Sequence, residues 1–363
     1  MIDPKFWQGK KVFVTGHTGF KGSWLCLWLR QMGAEVTGFA QPPPSNPSLF
    51  ELARISEVIT HIEGDVTQLA ALEKALQSAQ PEIVLHLAAQ SLVRKSYQSP
   101  VETFSTNIMG TVCLLDAARR VKSIRAIVMI TSDKCYHNEE WVWGYREDSR
   151  LGGDDPYSSS KACAEQVIYS YQHSFYNPKI DPTVPPVASA RAGNVIGGGD
   201  WAEDRLVPDV LRSLMRGEST LIRKPQATRP WQHVLEPLHG YLSLAEHLYL
   251  KGHEFSSGWN FGPAESAEKT VKWVVEYLYK LWGFKNQWVQ DTNPGPAEKT
   301  FLKLDSSKAH AYLGWHPVLE LPTTLEWIVS WTREYERKSD LRAVTNEQIQ
   351  HFMQTLAATK PKE

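Results

Sequence analysis

Three glycines at the junction of two regular elements constrain this chain most. Residues Lys11–Gly16 read KVFVTG, an apolar strand, and Gly16, Gly19 and Gly22 follow at GxxGxxG spacing as an amphipathic stretch begins. Leu25, Trp28, Leu29 and Met32 then recur at i, i+3, i+4 and i+7, which puts one apolar stripe of a helix against a sheet, and Gly33 stops it. Small residues at such a turn let the backbone approach a pyrophosphate, and the first helical turn offers unpaired N–H groups to hold it. The glycines alone fit any tight turn; strand before and helix after are the context a dinucleotide site demands.

The alternation continues through EVTGFA, THIEGD, EIVLHLAA, AIVMITS and VASARAGN, apolar runs separated by amphipathic stretches. This is the pattern of parallel strands joined by helices. The expected fold class is α/β: a Rossmann doubly wound parallel sheet over residues 1–190, then a smaller C-terminal mixed α/β substrate domain over 191–363, some of whose segments return to the first. Beyond residue 190 the periodicity loosens into GGGD and isolated prolines at 208, 225, 230 and 237. Phe104, Ile108, Val112 and Leu115 predict the buried face of a helix starting near Pro100. His86, inside an apolar run, reads as a hydrogen-bonded core histidine, and the tail from Ala343 as a helix with a solvated end.

The 363 residues carry a formal net charge of −1, so no global field draws nucleic acid or an anionic membrane, and an anionic ligand must be held by placed cations. The N-terminus has no signal-like apolar stretch and no run is long enough to span a bilayer, which predicts a soluble cytoplasmic protein. The four cysteines, Cys26, Cys113, Cys135 and Cys163, show no CxxC, so neither a disulfide framework nor a metal site is expected.

Tyr157 and Lys161 form YxxxK behind Asp155-Pro156, a helix start that puts both side chains on one face. A nearby ammonium favours the phenolate, which can take a hydroxyl proton. With 13 tyrosines, roughly one such pair arises by chance; its position after a fifth strand ending in Ser132, Asp133 and Lys134 is what distinguishes it.

Together, the GxxGxxG loop, Asp65 in GDV, HLAAQ at the fourth strand end, Ser132 and YxxxK resemble the extended short-chain dehydrogenase/reductases, from Lys11 to about Trp331. The resemblance implies a cofactor set of Gly16, Thr18, Gly19, Phe20, Lys21 and Gly22 at the pyrophosphate, and Asp65 and Val66 at the adenine. Leu87, Ala88, Ala89, Gln90 and Asn107, with Tyr157 and Lys161, complete it. NAD is the implied cofactor, although the second strand ends in Gly38, Phe39, Ala40 and Gln41 with no acidic residue for the ribose, which leaves NADP open on chemistry alone.

Asp133 followed by Lys134, where Asp-Glu is usual, resembles the CDP-glucose branch of the nucleotide-sugar 4,6-dehydratases; an epimerase needs no eliminating pair. The implied catalytic set is Ser132, Asp133, Lys134, Tyr157 and Lys161. Asp133 would protonate the leaving hydroxyl at carbon 6, and Lys134 either removes the carbon 5 proton or stabilises the enolate. The implied substrate set is Gln90, Ser91, Arg94, Ser132, Asn194, Arg205, Arg229 and His233. The implied partner is CDP-glucose, within deoxysugar supply for surface polysaccharide such as O-antigen, in a homodimer or homotetramer. The rival readings are another nucleotide-sugar dehydratase or 4-epimerase of this fold, and a dinucleotide sensor without turnover. The Pro296–Lys299 segment lacks a histidine common in the family.

Overall fold

The computed structural model describes residues 2–292 and 301–359. Apolar runs with no polar alternation need cover on both faces, and here they form the centre of a parallel sheet. In chain order the strands are β1 (Lys11–Thr15), β2 (Glu35–Ala40), β3 (Thr60–Glu63), β4 (Ile83–His86), β5 (Ala126–Ile130) and β6 (Val187–Ala192), then β7 (Asn194–Ile196), β8 (Leu221–Ile222), β9 (Thr228–His233), β10 (Gly258–Phe261), β11 (Glu268–Thr270) and β12 (Val289–Gln290). Seven of them make one parallel sheet in the order β10-β6-β5-β4-β1-β2-β3. The chain winds outward through β2 and β3, then crosses back to lay β4 on the other side of β1. The turns leaving β1 and β4 therefore diverge and open a crevice at their carboxyl ends.

One face is covered by the helices Phe20–Gln31, Leu235–Lys251 and Leu341–Ala358, with Trp24, Trp28, Leu238, Tyr241 and Phe352 in one apolar cluster. The other carries Leu69–Ala79, Gly110–Ala118 and Pro156–Ser174, packed through Leu72, Leu76, Leu114 and Ile168. A smaller layer holds the strands in order β11-β9-β7 and the pair β12-β8. There the helices Leu206–Arg216, Val271–Trp282 and Leu321–Glu336 bury Leu211, Trp231, Leu278 and Ile328.

The helix face expected at Phe104, Ile108 and Val112 is corrected: these three are half-buried, and of that stripe Leu115 alone is fully buried. A π-helical turn, Ser105–Met109, interrupts the run and adds a residue to that turn, which rotates the pattern and buries Thr103, Asn107, Thr111 and Leu114. Burying Thr103 and Asn107 is tolerated because both are hydrogen-bonded to Gln90.

The tail helix is docked: Phe352 meets Trp28 edge-on with ring centroids 5.5 Å apart, and Trp331 Nε1 donates to Thr345 Oγ1 at 3.0 Å. Phe352 is wholly buried, so Phe352→Ala is expected to cost about 3–5 kcal/mol, read from denaturant unfolding.

Candidate active site

The glycine loop is fixed by close approach. Gly16 adopts φ 73°, and a Cβ there would stand 2.7 Å from the Ala88 nitrogen; one on Gly22 would stand 2.2 Å from the Gly16 oxygen. The turn after β1 thus touches the turn after β4, leaving the first turn of the helix Phe20–Gln31 facing the crevice. Beneath it Thr15 Oγ1 pairs with His86 Nδ1 at 2.8 Å and accepts from the Ala88 N–H at 3.2 Å, so His86 is a satisfied core group.

Ser132 caps a short turn, Asp133–Cys135, by accepting from the Lys134 N–H at 3.2 Å, and its hydroxyl donates to Asp133 Oδ1 at 2.9 Å. Opposite, Asp155 caps the helix Pro156–Ser174 through the Ser158 N–H at 2.9 Å, which sets Tyr157 and Lys161 on its first turns. Asn107 joins the two sides: it exchanges hydrogen bonds with the Gln90 backbone at 2.8 and 3.0 Å and donates to Ser160 Oγ at 2.8 Å.

Burial governs the protonation of these groups. It pushes the Tyr157 phenol up to about 12, against the Ser132 hydrogen bond and the Arg205 charge, and the Lys161 ammonium down to about 8, against Glu165. It raises the Asp133 carboxyl, opposed by Lys134, and lowers Lys21 to about 7. A proton donor, a hydroxyl pair and a cation therefore share one cleft walled by both polar and apolar groups.

That cleft, of about 1430 Å³, is lined by every expected site residue except two. Asn107 is 2 % exposed and spends its amide on the backbone, so it positions the wall without facing the cleft. His233 is the second correction. It is wholly buried between Trp24 and Trp327, with ring centroids 5.6 Å from each, and its Nδ1 accepts from the Leu235 N–H. The Pro296–Lys299 segment lies outside the described residues.

Arg205 bridges Asp200 Oδ2 at 3.0 Å and Ser91 Oγ at 3.1 Å, while Arg94 (3.0 Å) and Arg223 (3.6 Å) share Asp204 Oδ1. Sequence reading missed Arg223, Asp204 and also His17, whose ring pairs with His61 at 2.7 Å and lies so close that a Cβ on Gly38 would stand 2.4 Å from it. Their partners are distant in sequence: no local motif marks Arg223 or Asp204, and His17 sits inside the glycine loop with no spacing that points to His61.

Residues 13–327 match the family model described as GDP-mannose 4,6 dehydratase. The chain belongs to that family. It is 52% identical over 97% of its length to the CDP-glucose 4,6-dehydratase of Salmonella typhimurium, covering 99% of that protein. The dTDP-glucose 4,6-dehydratase of Haemophilus influenzae is 25% identical over 88% of this chain and 97% of its own. Among solved structures, the dTDP-glucose 4,6-dehydratase of Bacillus anthracis in complex with NAD superposes with a TM-score of 0.74 at 21% identity, covering 92% of this chain and 100% of that one. The UDP-glucose 4-epimerase of Thermotoga maritima with UDP-glucose gives 0.77 at 22% identity, over 90% and 99%. These likenesses place the fold among dehydratases and epimerases of the family; within it, Asp133 and Lys134 on the Ser132 turn are the feature an epimerase does not require.

Proposed function

We propose that the protein is an NAD-dependent CDP-glucose 4,6-dehydratase. The observation that carries the reading is the Asp133-Lys134 pair on the Ser132 turn, lining the same cleft as Tyr157 and Lys161; the 52% identity to the Salmonella enzyme supports CDP-glucose as substrate. The loop Ala40–Ser48 that follows β2 contains no Lys or Arg to meet a 2′-phosphate, which supports NAD over NADP. In its place Gln41 donates to Asp65 Oδ2 at 2.9 Å. The pyrophosphate would lie on the loop Gly16–Gly22, where any Cβ at Gly16 or Gly22 meets backbone.

NAD bound on this loop would supply a reversible hydride acceptor for carbon 4 and donor for carbon 6, which keeps the reaction redox-neutral. Tyr157 takes the carbon 4 hydroxyl proton in its phenolate form, which burial opposes and the Ser132 hydrogen bond, the Arg205 charge and the Lys161 cation on the same helix favour, and Ser132 hydrogen-bonds the oxygen as it becomes a ketone. The ketone acidifies carbon 5. Asp133, held toward its protonated form by burial, gives its proton to the carbon 6 hydroxyl, which leaves as water. Lys134 acts at carbon 5, as the base that takes its proton and gives it back when hydride reaches carbon 6, or as the cation that carries enolate charge while that proton passes to solvent and back. Arg94 from the dinucleotide domain and Arg205 and Arg229 from the C-terminal substrate domain line the cleft on the substrate side and hold the diphosphate.

We infer a homo-oligomer paired through the helices around Pro100–Met109 and Pro156–Ser174, where Val101 is 82% and Tyr169 59% exposed. Light scattering is expected to give a dimer or tetramer, and a monomer would remove the inference. A cytoplasmic site in deoxysugar supply for surface polysaccharide follows from the substrate and cofactor.

Purified protein with CDP-glucose and catalytic NAD is expected to yield a 4-keto-6-deoxy product one water lighter, without net NADH. Turnover of another nucleotide sugar alone would overturn the substrate. Asp133→Asn is expected to slow product formation by about 100-fold or more while reduced nicotinamide accumulates, because only elimination is impaired. The Lys161 charge is present below about 8 and lost above it, so kcat/KM should fall as pH rises through that value; a profile flat to pH 10 would contradict the role given to Lys161.

A further inference from the structure

Behind the catalytic groups lies a buried ion pair that takes no part in the chemistry above. Glu165 stands one helical turn after Lys161, 4% exposed, and each of its oxygens accepts twice. Oε1 receives the Thr131 hydroxyl and Arg191 Nε (2.9 Å); Oε2 receives Ser189 Oγ (2.7 Å) and Arg191 Nη2 (2.7 Å). The other arm of Arg191 donates to Tyr136 Oη at 2.6 Å, and that hydroxyl donates to Asn260 Oδ1 at 2.8 Å. Thr131 immediately precedes Ser132, and Tyr136 immediately follows the Asp133–Cys135 turn. A single pair therefore grips both ends of the catalytic turn and the helix that carries Tyr157 and Lys161. Room is reserved for it, since a Cβ on Gly258 would stand 2.7 Å from Arg191 Nη2.

Stability does not account for this arrangement, because a buried ion pair can often be replaced by apolar packing at little or no cost. We propose that Glu165 and Arg191 are positioning residues of the reaction: they lock the Ser132–Lys134 turn against the Tyr157–Lys161 helix and keep a fixed negative charge behind Lys161. The inference rests on the dehydratase reading for its kinetic part only.

Among the described residues, Glu165 is the carboxylate that holds the Lys161 proton against burial. Burial holds the Cys135 thiol well above its usual range, and His86, at the end of β4, is pushed down to about 3, so both are neutral. Lys21, a second buried amine, is acted on by the charges of both Lys161 and Asp133. Around Glu165 itself stand Arg191, Tyr136 and Cys135, the phenol also raised by burial; Glu147, on the loop beside Arg191, gives its carbonyl to Nη1 at 3.1 Å.

Glu165→Gln removes the charge and keeps a carbonyl acceptor. Lys161 should then lose its proton at lower pH, moving the basic limb of kcat down by about one unit and lowering kcat at pH 8 by about fivefold, with KM changed by less than about threefold. Ser189→Ala, which deletes one hydrogen bond and no charge, should lower kcat modestly and leave the limb in place; Arg191→Lys, which keeps charge but loses the fork, should do likewise. A second readout needs no substrate: carbon-13 NMR titration of lysine Cε, with Lys161 assigned from Lys161→Arg, should show the midpoint falling in Glu165→Gln and unmoved in Ser189→Ala. If the wild type leaves CDP-glucose unchanged, the functional reading falls and this titration still decides the inference. A folded Glu165→Gln with the wild-type midpoint, its kcat reduced equally at every pH, would reduce the pair to a structural role. Should that variant not fold, Glu165→Asp is titrated instead, and a midpoint that does not fall with the withdrawn charge overturns the proposal.

Discussion

The rest of the structure depends on the contact between two turns. Gly16 and Ala88 lie so close that no side chain fits between them, because β1 and β4 are adjacent strands whose connections leave in opposite directions. That contact fixes where the first turn of the helix Phe20–Gln31 points, and so where an anion is held. The ends of β5 and β6 open beside it, bringing Ser132, and Asn194 just past β6, to the same crevice. A cofactor loop and a reacting centre are thus consequences of one strand order. A shift of the Gly16 turn would move the phosphate site and leave the Ser132 turn in place, uncoupling the two.

A nearly neutral chain must hold a diphosphate by local means, and here three of the cleft arginines come with a carboxylate. Arg205 is tied to Asp200, and Arg94 and Arg223 share Asp204, a residue held at φ 59°. Paired in this way, the guanidinium groups stay ordered, with a charge that entering phosphate oxygens can take over from Asp204. The arrangement matches recognition by planar forks rather than by point charges.

What the sequence made legible was whatever is encoded within one or two turns of chain. GxxGxxG, YxxxK and the strand runs all state their geometry by spacing, and the cleft contains them. The face of the helix after Pro100 was misread because a π-turn at Ser105–Met109 breaks the 3.6-residue period, and a polar residue with partners, Asn107, displaces apolar ones from the buried side. His233 was misplaced for a different reason. Its burial is imposed by Trp24 and Trp327, both remote along the chain, and a histidine near two arginines looks the same in sequence whether it faces a ligand or a core. Glu165 had a visible signal, four residues beyond Lys161, but its meaning resides in Arg191, 26 residues away and on another element.

Burial also reconciles two opposite demands within one cleft. Elimination requires a carboxyl that still has its proton, while oxidation requires an ammonium that still has its charge. Desolvation favours the neutral form of each, so it assists Asp133 and works against Lys161. The lysine is served by an anion that the acid does not share: Glu165 lies on the Lys161 side of the helix, with its remaining oxygen positions occupied by Arg191, Thr131 and Ser189. Asp133 is packed instead against Gly193, where a Cβ would stand 2.9 Å from Oδ2. One low-dielectric site thereby supports an acid and a cation together: at Asp133 burial outweighs the opposing charges of Lys134 and Lys21, while at Lys161 Glu165 offsets part of it.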